Sequence, residues 1–358
     1  MKVLFIIPAP LNISPGQRFR FEHYLPILRE NGIIYTIQSF WSLRVWDILF
    51  NNGHYFLKIA GLTRGLMRRL FIVANLFKYD CIFIYREAAP IGPPVFEWII
   101  AKIWRKKIIY DFDDAIWLSA SSSANPQAAL IKCSWKVKYI CKFSTVVSAG
   151  NHFLAAYAKK YNTDVRVIPT VVDTEKVHHG LKKQEELPFT IGWTGTFTNF
   201  YYLDNVSNAI NELKKRYDFK YLIISNKDPQ LENVEYTYKK WNFQTEIDDL
   251  LSINVGIMPL LNEKIALGKC AFKAIQYMSL GIPSVVSPVG ANCEVVKNGE
   301  TGFWAETDEQ WYTCLEKLIL DKELRIKMGI ESQKFIIENY SVKATTGLFL
   351  NLFRASST

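Results

Sequence analysis

Short runs of Val, Ile, Leu and Phe alternate with longer amphipathic stretches along the first part of the chain: KVLFIIP, IIYTIQSF, CIFIY, KKIIYDFD, STVVSA and VRVIP. Runs this short and this uniformly apolar predict strands buried on both faces, and the helical lengths between them predict parallel crossovers. The pattern restarts with FTIGWTG, KYLIISN, INVGIMPL and PSVVSP, so a second sheet of the same class is expected. Between the two sets, residues 174–188 (TEKVHHGLKKQEELP) gain charge and lose hydrophobicity, which reads as a linker. From Asp308 onward apolar residues recur at helical spacing, first through WYTCLEKLILDKELRIKMGIESQKFIIENY and again in ATTGLFLNLFRA. No repeat and no low-complexity segment interrupts the pattern. The expected architecture is α/β with two doubly wound Rossmann-like domains, residues 1–173 and 174–340, and a last helix in 341–358.

The length of 358 residues agrees with two domains at roughly 100–200 residues each. A composition of 49% hydrophobic and 22% charged residues is that of a globular chain able to bury a sizeable core. The opening LFIIPAP follows a single lysine and lacks a small-residue cleavage site, so it reads as a buried strand rather than a signal peptide. No run reaches the roughly 18–20 apolar residues of a membrane-crossing helix, and any membrane contact is expected to be peripheral. Six cysteines without a CxxC pair and five histidines without an HExxH arrangement predict reduced thiols, a cytoplasmic setting and no metal site. The net charge of +9 is uneven: residues 1–170 carry +12 and the remainder −3. A basic half points to an anionic partner such as a membrane surface, phosphate or nucleic acid. Nucleic acid is disfavoured because no recognised binding module accompanies the charge.

Ligands of open parallel sheets bind beyond the carboxyl ends of the strands, and five segments fall there. After the first strand, PAPLNISPGQRFRFEHY offers Gly16 for close backbone approach and Arg18 and Arg20 at a helix start, where they can meet a phosphate. Arg86 and Glu87 follow CIFIY at once. Asp111, Asp113 and Asp114 crowd the end of KKIIY, and three carboxylates so close repel one another unless cations or donors meet them. In IGWTGT, Gly195 and Thr196 present backbone amides suited to a diphosphate, although neither a lysine-bearing phosphate loop nor a true GxGxxG is present. In GKCAFKAIQYMSLGIPSVVSPVG, Lys269, Lys273 and Gln276 are spaced by four and three, so a helix beginning near Gly268 sets them on one face near its positive end.

The last of these segments resembles the donor-site signature of glycosyltransferase family 4, a helix ending EAMAxGxPVV before a strand and a glycine turn. Here it stands as QYMSLGIPSVVSPVG, followed by Glu294 and NGETGFW. VSAGNHFL, VRVIPTVVD, IGWTGT, VGIMPL and the closing helices keep the family's order, so the resemblance runs over nearly the whole chain. It implies the GT-B fold: two doubly wound Rossmann-like domains facing a cleft, the N-terminal one for the acceptor, the C-terminal one for the nucleotide-sugar, and a last helix crossing back. It also implies a hexosyl transfer with retention, without metal and without a separate cofactor, the nucleotide-sugar being a substrate. Donor contacts would fall on Gly16, Gly195, Thr196, Lys269, Lys273 and Gln276, acceptor contacts on Arg18, Arg20, Arg86, Glu87, Asp111 and Asp114, and the reaction itself on Asp113 and Lys273. The chain departs from the family where two glutamates eight residues apart become Gly268 and Gln276, and where the usual Arg and Lys after IGWTGT are missing. The acceptor class implied is a glycan or lipid-linked glycan of bacterial surface polysaccharide, including lipopolysaccharide. A noncatalytic GT-B scaffold and a sugar-nucleotide epimerase of the same fold are the alternatives.

Residues 54–78, HYFLKIAGLTRGLMRRLFIVANLFK, hold Lys58, Arg64, Arg68, Arg69 and Lys78 and no acidic residue. Interleaved with leucine and phenylalanine, they read either as a basic helix able to lie in an anionic bilayer interface on the inner face of the cytoplasmic membrane or as an ordinary helix packing its leucines on the N-terminal sheet, and both can hold on different faces.

Overall fold

A computed structural model describes residues 1–118, 131–185 and 188–354. Glu186 and Leu187 of the expected linker, and the tail after Arg354, lie outside the described residues. The chain divides into two compact units, residues 1–170 with 345–358, and residues 171–344. The charged stretch expected as a linker runs, as far as Glu185, within the second unit, where Lys182 Nζ donates to the Leu251 carbonyl at 2.7 Å and Gln184 Nε2 to that of Asn254 at 3.2 Å.

In the first unit six strands form one parallel sheet in the order β2-β1-β3-β4-β5-β6. They are β1 (Lys2–Ile7), β2 (Ile34–Ser39), β3 (Cys81–Tyr85), β4 (Lys107–Phe112), β5 (Val146–Ala149) and β6 (Val165–Val167), and they fall on the six apolar runs. β1, β3, β4 and β5 are buried almost throughout, as strands covered on both faces must be. The order reverses between β1 and β3, which makes that crevice the switch point. Two helices of this unit matter below: α1 (Pro15–Arg20), which follows β1, and α2 (Tyr55–Ala74), between β2 and β3.

The second unit repeats the plan in the order β12-β11-β10-β7-β8-β9. The four expected runs supply β7 (Thr190–Gly195), β8 (Lys220–Ser225), β10 (Val255–Met258) and β11 (Ser284–Val286). Two strands were not legible in the apolar pattern. β9 (Thr237–Lys240) is the polar TYKK at one edge, and β12 (Gly302–Trp304) is only three residues long at the other. The unit's longer helices are α3 (Asp204–Lys214), α4 (Phe272–Ser279), α5 (Asp308–Leu320) and α6 (Lys322–Asn339), and α7 (Val342–Arg354) follows them in the chain. The helical reading from Asp308 onward holds, with Asp321 and Ser341 marking the breaks.

Residues 345–354 of α7 count with the first unit. Phe349 stacks on Tyr24 with ring centroids 4.1 Å apart, and Phe353 stacks on Phe83 of β3. Lys107 and Arg166 donate to the Phe353 and Asn351 carbonyls, meeting groups that a helix end leaves without internal partners. Among the described residues no helix is long and apolar enough to cross a membrane. Phe349 is 1% exposed, so Phe349→Ala should lower the stability of the first unit by about 3–5 kcal/mol. Hydrogen exchange at the β1 and β3 amides reads this unit alone, and unchanged protection there would show that the helix contributes little.

Candidate active site

At the switch point of the first unit, strand register brings the charged residues together. Tyr85 pairs with Asp111 across β3 and β4, and Asp111 with Ser148 across β4 and β5. Arg20 of α1 reaches this row: its Nη2 lies 2.5 Å from Asp111 Oδ1 and its Nε 3.1 Å from Oδ2, and it also donates to Ser148 Oγ and the Ile168 carbonyl. Ser148 Oγ donates to Asp111 Oδ1 at 2.5 Å. Arg20 and Asp111 are fully buried. The structure therefore turns these two against each other inside the unit, where they fix the end of β4 to the helix that follows β1.

Asp113, two residues on, meets a different arginine. Its Oδ1 accepts from Tyr85 Oη and from Arg86 Nε, both at 2.9 Å, and Arg86 Nη2 stands 2.8 Å away. Arg86 reaches it from a left-handed backbone with φ of 61°, a conformation rare outside glycine and often found where function demands it. Burial by itself raises the Asp113 carboxyl, but the charges of Arg86 and Arg20 and the hydrogen bonds from Arg86 and Tyr85 outweigh it, and the net direction is down. Burial pushes the Tyr85 phenol well above its ordinary value, so it stays a donor. Asp114 is more exposed, accepts from its neighbour Ala115 N and lies 4.0 Å from Arg86.

Gly16 borders this cluster. A Cβ there would sit 2.5 Å from Tyr85 Oη and 3.0 Å from Asp113 Oδ2, so only glycine lets α1 pass. Glu87 is held by Lys136 at 2.8 Å. Arg18 is buried with its guanidinium 4.4 Å over the Phe19 ring. Sequence reasoning missed Tyr85 and Gln17. Gln17 donates to the Ala9 carbonyl and accepts from Ala9 N, clamping the loop after β1. Tyr85 was findable as the last residue of CIFIY, whereas no local signal marks Gln17.

In the second unit the order reverses between β7 and β10. Lys273 lies in the first turn of α4, and a Cβ on Gly195 would come within 2.8 Å of its Cε and 2.4 Å of the Trp193 ring. The Lys273 stem thus runs beside the end of β7 with its ammonium 5.3 Å over Trp193. Lys269 Nζ donates to Asn199 Oδ1 at 2.8 Å, and Asn199 Nδ2 donates to Thr196 Oγ1 at 3.1 Å. Asn199, absent from the sequence reading, therefore joins Thr196 to Lys269. The Lys269 ammonium also lies 5.5 Å over the Tyr202 ring, whose hydroxyl donates to Glu263.

Contrary to what the spacing of Lys269, Lys273 and Gln276 predicts, the helix does not begin near Gly268. Residues Lys264–Leu267 form a separate short turn, and α4 starts at Phe272 after Ala271, whose φ is 51°. Lys269 hence sits in the turn before the helix, not on one helical face with Lys273 and Gln276. Gln276 is on α4 and 3% exposed. Tyr277 beside it accepts from Thr194 N at 2.7 Å, tying α4 to β7. Among the described residues no group of three or more His, Cys, Asp and Glu is placed to hold a metal ion.

Two parallel six-stranded sheets, each with its charged residues at the carboxyl edge, are the GT-B class of α/β fold. Residues 188–321, most of the second unit, match the family described as Glycosyl transferases group 1, and the resemblance drawn from QYMSLGIPSVVSPVG holds for that region. Sucrose-phosphate synthase from Thermosynechococcus elongatus is similar in structure with a TM-score of 0.67 at 13% identity, covering 99% of this chain and 100% of that one. Anabaena HepE in complex with UDP and glucose has a TM-score of 0.64 at 12% identity over 99% and 100%. The catalytic domain of starch synthase IV from Arabidopsis thaliana, bound to ADP and acarbose, has 0.64 at 10% over 99% and 98%. In sequence, N-acetyl-alpha-D-glucosaminyl L-malate synthase of Bacillus anthracis is 22% identical over 228 residues, 57% of this chain and 58% of that protein. The chain thus aligns with little more than half the length of that relative.

The Asp113 environment sets a pH expectation. A depressed carboxyl contributes stability that is present above its unfolded value and lost as pH falls through its folded one. Arg86→Gln removes the main charge opposing burial, so Asp113 should titrate at higher pH than in the native chain, and the stability it contributes should be lost at higher pH. Carboxyl carbon NMR during acid titration measures this directly, and identical titration of the two proteins would mean that Arg86 does not set the charge of Asp113.

Proposed function

We propose that this chain is a glycosyltransferase that moves a hexosyl group from a nucleotide-sugar to a glycan or lipid-linked glycan of bacterial surface polysaccharide, with retention and without metal or separate cofactor. The observation that carries the reading is the meeting of Gly195, Thr196, Lys269 and Lys273 at the carboxyl edge of β7 and β10, inside the region that matches the family. Cleaving a sugar from a diphosphate places negative charge on the departing phosphate. Two ammonium groups and backbone amides fixed beforehand stabilise that charge as it grows. The neighbours solved with UDP and with ADP support a nucleoside diphosphate as the donor's leaving group.

In this reading the second unit holds the donor, with Gln276 hydrogen-bonding a ribose hydroxyl as an amide. The first unit holds the acceptor, and Asp113, kept ionised by Arg86, accepts a hydrogen bond from a sugar hydroxyl. Arg20 and Asp111 position that edge of the sheet. The enzyme works in the cytoplasm, attached peripherally to the inner face of the membrane that carries its acceptor.

The replacement of the family's two glutamates by Gly268 and Gln276 favours one competing reading, a noncatalytic scaffold. A thermal-shift series with UDP, GDP, ADP and CMP sugars separates the two, since a ligand of the folded state raises apparent stability. One donor class should raise the midpoint. With that donor, Lys273→Ala should lower turnover by about 10²–10³-fold, the effect of removing one oxyanion donor. No shift with any donor together with no transfer would give the scaffold reading, and full turnover in Lys273→Ala would remove the lysine from the reaction.

A further inference from the structure

Helix α2 (Tyr55–Ala74) has two working faces. Its inward face buries Gly65, Arg69 and Val73. Arg69, fully buried, donates to the carbonyls of Ala88 at 2.7 Å, Gln38 at 2.8 Å and Ile7 at 2.8 Å. These oxygens replace the water that the guanidinium lost, as a buried cation requires. Sequence counted Arg69 among the surface cations; the structure removes it and makes it a rivet holding α2 to the ends of β1 and β2 and to the loop after β3.

The outward face is apolar as well. Phe56, Ile59, Met67, Leu70 and Phe71 are exposed, and Phe77 continues them past the helix; Phe56 is 83% exposed, Phe71 74% and Phe77 71%. At about 100° per residue the five helical members fall within an arc of roughly 120° and extend for about 23 Å. Single exposed apolar residues are ordinary, but five on one face, interrupted only by the exposed Thr63 and the small Ala60, mark an interaction surface. Arg64, exposed, lies just past Phe71 on one flank of the stripe, with the half-buried Arg68 behind it donating from Nη2 to Gln38 Oε1 at 3.0 Å. Lys78 stands past its end, whereas Lys58 lies on the opposite side of the helix and donates to the Asn51 carbonyl, and residues 54–78 contain no carboxylate.

We propose that this face docks on an anionic bilayer, with the stripe entering the headgroup boundary, Arg64 meeting lipid phosphate and Arg68 adding its charge beside it. The charge decides between occupants. A second copy seated by twofold symmetry would set the same patch against itself, bringing the cations of two helices together with no acid of that segment between them. A bilayer rich in anionic headgroups supplies the opposite charge and accepts the apolar stripe at once. Because Arg69 fastens the same helix to the Ile7 and Ala88 carbonyls, docking also fixes the sheet edge that carries Gly16 and Arg86 relative to the lipid surface. The inference deepens the peripheral attachment proposed above and rests on that reading only for the acceptor, not for the contact.

Cosedimentation of the full chain with phosphatidylcholine vesicles, with and without phosphatidylglycerol, tests it. Binding should require phosphatidylglycerol and fall at high salt. Arg64→Gln with Arg68→Gln should weaken partitioning about ten-fold or more, and Phe56→Ser with Phe71→Ser should abolish it. The thermal-shift response to nucleotide-sugar should be unchanged in both variants, which shows that they are folded and separates failure of docking from failure of the glycosyl-transfer reading. Equal pelleting with neutral vesicles, no pelleting, or variants that bind like the native chain would overturn the proposal. So would a lipid-free dimer dissolved by the phenylalanine changes, which would give the face to a second copy.

Discussion

The buried pair of Arg20 and Asp111 is the constraint on which the first unit's working edge depends. Taking two charges out of water costs several kcal/mol per ion, and the interior returns this only where geometry and further hydrogen bonds are good. Here Asp111 accepts from Nε and Nη2 of Arg20 and from Ser148, while Nη1 of Arg20 reaches the Ile168 carbonyl. One contact therefore joins α1, β4, β5 and the residue after β6. It also resolves the repulsion among the three aspartates. Asp111 is paired with Arg20 inside, which leaves Asp113 to Arg86 and Tyr85 and leaves Asp114 nearest the solvent.

The second unit solves a different problem, bringing cations to a strand end without burying them unpartnered. Gly195 yields the space for the Lys273 stem, and Trp193 offers its ring face to the ammonium. The Tyr277 hydroxyl, accepting from Thr194 N, holds α4 against β7 so that the stem has a fixed course. Lys269 comes from the turn before the helix and is oriented by Asn199. Cations placed in advance, rather than recruited by the ligand, are what a site for developing negative charge requires.

Most of the fold was legible because parallel strands buried on both faces must be apolar throughout. KVLFIIP, CIFIY and INVGIMPL could hardly be anything else in alternation with helical lengths. β9 escaped because an edge strand such as TYKK keeps its side chains in water and needs no apolar residues. The site was legible in its residue types and only partly in its geometry. Crowding at Asp111, Asp113 and Asp114 signalled a special place, yet nothing local said that Arg20, ninety-one positions before Asp111, would take one of them. The helix start was misjudged by four residues because Ala271 adopts a left-handed backbone without the glycine that usually announces it. Arg69 looked like its neighbours Arg64 and Arg68, and only the carbonyls it meets distinguish it.

The central claim is that the second unit holds a nucleotide-sugar by its diphosphate. Calorimetric titration of the full chain with the nucleoside, monophosphate and diphosphate of the preferred base tests that claim most directly. Affinity should rise steeply at the diphosphate, weaken with added salt, and fall back toward the monophosphate value in a Lys269→Ala, Lys273→Ala chain. Equal affinity for monophosphate and diphosphate, or a diphosphate gain that survives loss of both lysines, would contradict it.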